Sequence, residues 1–308
     1  MNIIITGGSG FLGQALSKIL RGFNHNVLSL SSKDANLLNQ HSLDKYNNID
    51  YDKIFHLAAW TQAGDFCIHH PGEQWLINQQ INTTVLNWWK EFQPKAKLIS
   101  IGTSCSYDEN NDLIESNYLL GTPRNELYSY AMTKRMLLIG KQALHNQFKL
   151  NYLSVIPSTL YGPNYNIHSG QNHFIFDLIN KVLKYKYFSE DIVLWGDGNQ
   201  KREIVYIDDF IEIMLDLDNI VSNDVINIGA GEDYTIRQFA EFICKILCVE
   251  SDVIQYDKDK YVGARSKKLN TMKCNRILPK KRRFSLIEGL TLTIKWMDKL
   301  YKNGLVFD

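Results

Sequence analysis

The sequence predicts an α/β fold, with a doubly wound parallel sheet and a smaller C-terminal α/β substrate domain. Three observations carry that expectation. In the first half, short apolar runs alternate with amphipathic stretches, as in strand–helix units repeated over a parallel sheet. Gly7, Gly10 and Gly13 fall between the first apolar run and the first amphipathic stretch, where a chain leaving a sheet must turn sharply into a helix. The length of 308 residues suits one large domain or two ordinary ones. Together these features specify a sheet of the Rossmann type.

Asn2–Thr6 reads as a buried strand, and Phe11–Leu20 as the helix after the glycine loop. Asn26–Leu30, Lys53–Leu57, Lys97–Ile101 and Leu153–Ile156 read as further strands, with helices at about 74–92 and 128–147 between them. The second half is less regular. A turn-rich segment from Tyr161 to Gly170 precedes a helix over 173–186 and a strand at Ile192–Trp195. Residues 204–228 resume a strand–helix–strand rhythm and are expected to rejoin the first domain. Helices over 235–248 and 285–301 flank a basic run, Lys280–Arg283. The expected domains are therefore 1–160, with 204–228 returning to it, and 161–308. With no repeat, low-complexity tract or long linker, the two should be rigidly apposed around a cleft.

Composition narrows the function. The apolar share is 44% and the charged share 22%, values of a globular protein. Lys plus Arg is 34 against 33 for Asp plus Glu, so a net charge of +1 offers no field for a nucleic acid or an anionic membrane. No apolar run approaches the roughly 20 residues of a membrane-spanning helix, and the chain opens into a strand instead of a signal peptide, so a cytoplasmic protein is expected. Five cysteines with one close pair, Cys244 and Cys248, suit a reducing compartment, and that pair is expected to pack in a core. His69 and His70, about 100 degrees apart on a helix, cannot share an ion and are expected in a solvent-facing loop. No metal is expected, since no second cysteine pair or histidine follows Cys244 and Cys248 at finger spacing. The Lys280–Arg283 run is expected to be a solvated turn.

Two clusters bear on chemistry. The Gly7–Gly10–Gly13 loop, with Phe11 and Leu12 at the head of its helix, suits a dinucleotide pyrophosphate held by backbone N–H groups. At the end of the second strand, Ser31, Ser32 and Lys33 offer two hydroxyls and a cation to a 2′-phosphate, which favours NADP(H), although Asp34 leaves NAD(H) open. Leu57, Ala58 and Ala59 after the third strand would let the cofactor lie against the backbone. Tyr130 and Lys134 stand four residues apart on one helical face, and the cation is expected to lower the phenol's pKa toward neutrality. Thr103, Ser104 and Ser106 add hydroxyls after the fourth strand.

The motifs Arg202–Asp209, Asn227–Gly231, Lys268–Thr271 and Glu288–Leu290, with the loop and the Tyr-Lys pair, resemble the nucleotide-sugar branch of the extended short-chain dehydrogenase/reductase superfamily. More narrowly, Thr103–Tyr107, Gly121-Thr122, Asn125-Glu126, Pro157–Pro163, Asn166–His168, His173 and Trp195–Gly198 resemble the GDP-L-fucose synthase family. That resemblance implies NADPH-dependent reduction of the 4-keto group of a GDP-linked 4-keto-6-deoxy sugar, preceded by 3,5-epimerisation, in the synthesis of surface polysaccharide precursors. It implies Tyr130 as proton donor, Thr103 beside it, Lys134 on the nicotinamide ribose, Pro157 against the cofactor, and Cys105 and His173 as the acid/base pair. Ser104, Lys181, Trp195 and Arg202 are implied to bind the nucleotide sugar, and helices 74–92 and 128–147 to pair in a homodimer. The spacing of Trp75, Trp88, Trp89 and Phe92 gives the first of these helices a wide apolar stripe.

Thr103 stands where the family carries serine, and Ala58–Cys67, with Trp60 and Phe66, departs from the family's loop. A different 4-keto sugar, such as a deoxyheptose, or loss of epimerisation is open on that ground. A 4,6-dehydratase would place an Asp-Glu pair where Ser104-Cys105 stand. A 4-epimerase with bound NAD and a non-catalytic NADP-sensing protein complete the alternatives.

Overall fold

A computed structural model describes residues 1–62, 66–167, 172–260, 265–279 and 282–305. The first half runs β1 (Asn2–Thr6), α1 (Phe11–Gly22), β2 (Asn26–Leu30), β3 (Lys53–His56), α2 (Phe66–His69), α3 (Pro71–Phe92), β4 (Lys97–Ile101), α4 (Tyr128–Phe148), β5 (Tyr152–Pro157) and β6 (Thr159–Tyr161). It continues as α5 (Phe174–Phe188), β7 (Ile192–Trp195), β8 (Lys201–Arg202), β9 (Ile204–Tyr206), α6 (Ile207–Ile220) and β10 (Asp224–Ile228). β11 (Tyr234–Thr235), α7 (Ile236–Leu247), β12 (Ile254–Asp257), β13 (Ser266–Lys267), α8 (Met272–Ile277) and α9 (Leu286–Lys302) complete the chain.

Six strands form one parallel sheet in the order β10-β5-β4-β3-β1-β2. The order reverses between β1 and β3, and such a switch point opens a crevice at the carboxyl ends of the strands. The glycine loop and Leu57–Ala59 leave the sheet there. Alternation along β1 sends Ile3 and Ile5 into a core with Leu16 of α1 and Phe210 and Met214 of α6, and Ile4 into a core with Val85 and Trp89 of α3 and Leu138 of α4. Within 204–228, β10 adds to the parallel sheet beside β5, α6 packs on its core, and β9 pairs with β6 outside that sheet. Buried Asp218 of α6 ties them down by pairing with Lys53 and, at 2.9 Å, with Lys97.

A second core gathers α5, α7 and α9 around Phe176, Leu183, Phe239, Ile243, Leu290 and Met297. Beside it lie the three-stranded sheet β11-β8-β13 and the pair β12-β7.

Several expectations need correction. Trp88 and Trp89 belong to the interior, with Trp88 Nε1 donating to Asn47 Oδ1 at 2.7 Å and Trp89 Nε1 to the Ala96 carbonyl at 2.9 Å. They add nothing to a surface stripe. Cys244 is buried, but Cys248 is exposed because it takes the left-handed C-cap of α7, with φ 56°. His69 ends the one-turn helix α2 instead of lying in a loop, and His70 stacks at 4.7 Å from Phe66. In the basic run, Arg282 pairs with Glu232 at 3.0 Å, while Arg283 pairs with Glu212 at 3.1 Å with its side chain 68% exposed, so the described end of the run is a solvated bend held by surface ion pairs. Lys280 and Lys281, and His168, lie outside the described residues.

A polar row crosses the parallel sheet in register: Thr6 sits opposite His56, His56 opposite Ser100, and Ser100 opposite Ser154. His56 is buried between Thr6 Oγ1 at 2.8 Å and Asn82 Oδ1 at 3.1 Å, and burial brings its pKa from 6.5 down to about 3. Between those values the unfolded chain takes up a proton that the native chain refuses, so stability falls with acid by about 1.4 kcal/mol per pH unit. His56→Gln lacks this dependence. The gap between wild-type and H56Q urea midpoints should therefore narrow from pH 7 to 5, and a constant gap would contradict it.

Candidate active site

The glycine loop is shaped by close backbone approach. Gly7 has φ +73°, and a Cβ there would lie 2.6 Å from the Ala58 amide nitrogen. A Cβ on Gly13 would lie 2.3 Å from the Gly7 carbonyl oxygen, so α1 can start this close to β1 only with glycine at that place. Gly10 N–H donates to Gly7 O at 3.1 Å and closes the turn. Beyond it the first turn of α1 presents backbone N–H groups with no helical partner, a ready seat for phosphate. Gly13→Ala should weaken NADPH binding about ten- to a hundredfold by forcing this turn open. Gly22→Ala, where a Cβ meets nothing within 4 Å, serves as the control; equal affinities in a fluorescence titration would contradict the assignment.

Next to the loop a cavity of about 370 Å³ is lined by Thr6, Gly7, Gly10, Ser31, Ser32, Leu57, Ala58, Ala59 and Trp60, among others. These residues fit a dinucleotide. Phe11 and Leu12 turn their side chains elsewhere: Phe11 meets Tyr165 edge-on at 5.3 Å, and Leu12 packs against the sheet core. Asp34 is engaged locally, accepting from the Ser31 N–H at 2.8 Å and its hydroxyl at 2.6 Å, which hold its carboxyl below the usual carboxylate range. The exposed Lys33 shares this turn, its N–H donating to Ser31 Oγ at 3.3 Å. Pro157 ends β5 opposite Ile228 of β10.

Thr103 caps a one-turn 3₁₀ segment, Ser104–Ser106, and its hydroxyl oxygen accepts from Cys105 N–H at 3.2 Å. Thr103 also bears on the Tyr130 phenol, favouring its ionised form against the burial that opposes it. Lys134, one turn along α4, places Nζ 5.9 Å from the Tyr130 ring centroid. Thr103, Tyr130 and Lys134 therefore converge beyond the end of β4. The titration differs from the sequence expectation. Burial pushes the Tyr130 phenol above its ordinary value, reinforced by Cys105 and Cys67, and Lys134 does not overcome it. Lys134 is itself desolvated, which brings its pKa down to about 8. Tyr130 thus keeps its proton at neutral pH, as a proton donor must.

Cys105 adjoins this centre. Lys267 Nζ donates toward its Sγ at 3.8 Å, and burial and Lys267 together hold the His173 imidazole below its ordinary value. His173 caps α5 and faces Tyr165, ring centroids 6.1 Å apart. Arg202 feels both Arg124 and Cys105, and Arg124 and Lys267 line one small cavity with Ser104 and Cys105. Of the remaining candidates, Lys181 pairs with Asp177 at 3.1 Å along its own helix, and Trp195 is 56% exposed, with Lys260 Nζ 6.0 Å from its ring centroid. Neither joins the Tyr130 group.

A family model described as NAD dependent epimerase/dehydratase matches residues 3–229. The chain belongs to that family. It is similar to the GDP-L-colitose synthase of Yersinia pseudotuberculosis, 28% identical over 276 residues covering 87% of this chain and 88% of that one. It is also similar to the GDP-L-fucose synthase of Escherichia coli K12, 27% identical over 312 residues covering 96% and 95%. Among solved structures, a GDP-L-fucose synthetase from Naegleria fowleri bound to NADP superposes with a TM-score of 0.85 at 24% identity, covering 97% and 94%.

Membership of the epimerase/dehydratase family leaves unexplained three residues that sequence reasoning did not single out. Arg135 is buried and donates to the carbonyls of Ser106, Leu120 and Gly121, the last two at 2.8 Å, so it staples the Cys105 turn to the helix bearing Tyr130. Buried Glu203 accepts from Gly231 N–H at 2.7 Å and Leu269 N–H at 2.9 Å, which fixes β8 and β13 side by side and with them Arg202 and Lys267. Lys267 itself sits on a two-residue strand that shows no periodicity in the sequence.

Proposed function

We propose that this chain reduces the 4-keto group of a GDP-linked 4-keto-deoxy sugar with NADPH, after inverting the carbons beside the ketone. The grouping of Thr103, Tyr130 and Lys134 beyond the end of β4 carries this reading. The reduced nicotinamide, when bound, supplies the hydride. Tyr130 and Thr103 hold the ketone oxygen, and Tyr130 passes its proton to that oxygen as the carbonyl is reduced. The Lys134 ammonium stabilises the resulting phenolate and orients the cofactor ribose. Ser31, Ser32 and Lys33 favour NADP(H) over NAD(H).

A ketone acidifies the carbons on either side, so Cys105 and His173 can exchange protons with them. Burial first, and the Lys267 charge second, disfavour a positive charge on the His173 imidazole. Arg202, Arg124 and Lys267 supply positive charge for the substrate diphosphate, and Trp195 offers an exposed ring to the nucleotide. The names of the fucose and colitose synthases support GDP as the nucleotide. We assign residues 1–160, with 204–228, to the cofactor and 161–308 to the nucleotide sugar. Ser104-Cys105 stand in the place of a dehydratase's acidic pair, which disfavours that alternative.

The direct test incubates the protein with NADPH and GDP-4-keto sugars: the 6-deoxyhexose, its 3-deoxy analogue and a heptose. Loss of nicotinamide absorbance with at least one is expected, and loss with none rejects the reading. We also propose a homodimer through α3 and α4. Their outer faces expose Leu76 at 70%, Met136 at 38% and Ile139 at 41%, apolar surface that a partner would cover. Light scattering should give about twice 35.6 kDa, and a 35.6-kDa particle alone would reject the pairing. A cytoplasmic location fits five free cysteines, and no described helix is long and apolar enough to cross a membrane.

A further inference from the structure

Three aromatic rings from separate stretches of the chain meet beside the glycine loop, and the mechanism above uses none of their side chains. Phe11 stands at the head of α1, Phe176 lies in the first turn of α5, and Tyr165 belongs to the segment between β6 and α5. The Tyr165 ring stacks on Phe176, with centroids 3.9 Å apart and planes at 11°. It meets Phe11 edge-on at 5.3 Å, and Phe11 meets Phe176 edge-on at 6.3 Å. Phe176 is fully buried, so the stack has a fixed floor. A ring held on one face and at one edge together loses most of its side-chain freedom.

The same Tyr165 ring faces His173, with centroids 6.1 Å apart and planes at 57°. His173 caps α5, and its carbonyl accepts from the Phe176 and Asp177 N–H groups at 2.9 and 3.2 Å. Those bonds fix its backbone and leave the two imidazole torsions to whatever the ring packs against. Lys267 on β13 bears on the imidazole through its charge, and the His173 backbone bears on the Tyr165 phenol. Tyr165 is only partly buried, at the margin of the second core, so its ring forms a boundary between that core and the cleft.

We infer that Tyr165 is a positioning residue for His173: its ring, clamped by Phe11 and Phe176, holds the imidazole in one orientation for proton exchange at a carbon beside the ketone. The inference rests on the epimerising part of the reading above. Proton transfer needs its partners within hydrogen-bond reach, and a displacement of about 1 Å can cost about a hundredfold. The clamp also joins the two halves of the site, because the ring that seats His173 is braced on the helix that begins at the cofactor turn.

Tyr165→Leu keeps bulk and removes the flat ring, whereas Tyr165→Phe keeps the ring and removes the hydroxyl. Turnover in deuterium oxide reads the exchange beside the ketone. In Y165L, deuterium incorporation at carbons 3 and 5 should fall about ten- to a hundredfold, while reduction of an already epimerised ketone and NADPH affinity stay within about threefold. Y165F should keep wild-type incorporation within about threefold. Unchanged incorporation in Y165L, or a loss matched by equal losses in reduction or NADPH affinity, would mean that the ring only fills space. An equal loss in Y165F would move the role to the phenol. Each of these overturns the inference. Wild-type protein that incorporates no deuterium rejects the epimerising reading instead, and NMR with labelled aromatic and histidine rings then decides the role of Tyr165. Cross-relaxation between His173 and Tyr165 ring protons is expected in the wild type, with restricted His173 ring motion that Y165L releases. A mobile His173 ring in the wild type, or one equally ordered in Y165L, contradicts the inference, and the wild-type spectrum suffices if Y165L does not fold.

Discussion

Tyr130→Phe should lower kcat for ketone reduction about a thousandfold, the scale of a lost general acid, while NADPH affinity stays within about twofold. The substitution removes one hydroxyl and keeps the ring. Thr103 cannot replace it, because an aliphatic alcohol is a far weaker acid than a phenol. Burial holds the Tyr130 proton in place, so the wild-type rate should not decline through phenol ionisation near neutral pH. The decline expected at alkaline pH belongs to Lys134, whose pKa is about 8: its ammonium is present below that value and lost above it. Steady-state assays following nicotinamide absorbance measure both effects. A Tyr130→Phe enzyme within threefold of wild type would remove Tyr130 from the chemistry.

The second large effect concerns the carbons beside the ketone. Turnover in deuterium oxide should place solvent deuterium at carbons 3 and 5 of the product. Cys105→Ser and His173→Asn should each cut that incorporation by about a hundredfold or more, the scale of losing one acid/base partner. Reduction of a ketone that is already epimerised should persist in both variants, because the Thr103–Tyr130–Lys134 group is intact. A wild-type enzyme that reduces its substrate without incorporating deuterium has lost epimerisation, and Cys105 and His173 then serve only to shape the cavity.

The first half of the molecule was readable from periodicity. Each strand of the parallel sheet is a short apolar run, the long helices between them are amphipathic stretches, and the glycine spacing marked the tight turn between β1 and α1. Element ends moved by up to about three residues, as where the 74–92 expectation became Pro71–Phe92. What the sequence concealed is long-range. β8 and β13 are two residues each, too short for any period, yet they bring Arg202 and Lys267 into adjacent register. Trp88 and Trp89 read only as part of a wide apolar stripe, because their indole N–H partners, Asn47 and Ala96, are set by tertiary packing. The sign of the Tyr130 shift was misread for a related reason. A lysine four residues away is visible in sequence, but the desolvation of both groups is a property of the folded cleft. Lys141 is the extreme case: it is fully buried, and nothing local to it shows that its Nζ meets Ser100 and Ser154 on neighbouring strands.

The convergence of Tyr130, Lys134 and a dinucleotide on one sugar carbonyl is tested most directly by isotope transfer. NADPH deuterated at the reactive nicotinamide carbon should give a product carrying that deuterium at sugar carbon 4, with none passing to solvent. Oxidation of the nicotinamide without deuterium at carbon 4, or with deuterium at another carbon, would contradict the assignment of Tyr130 and Lys134 to a 4-keto reduction.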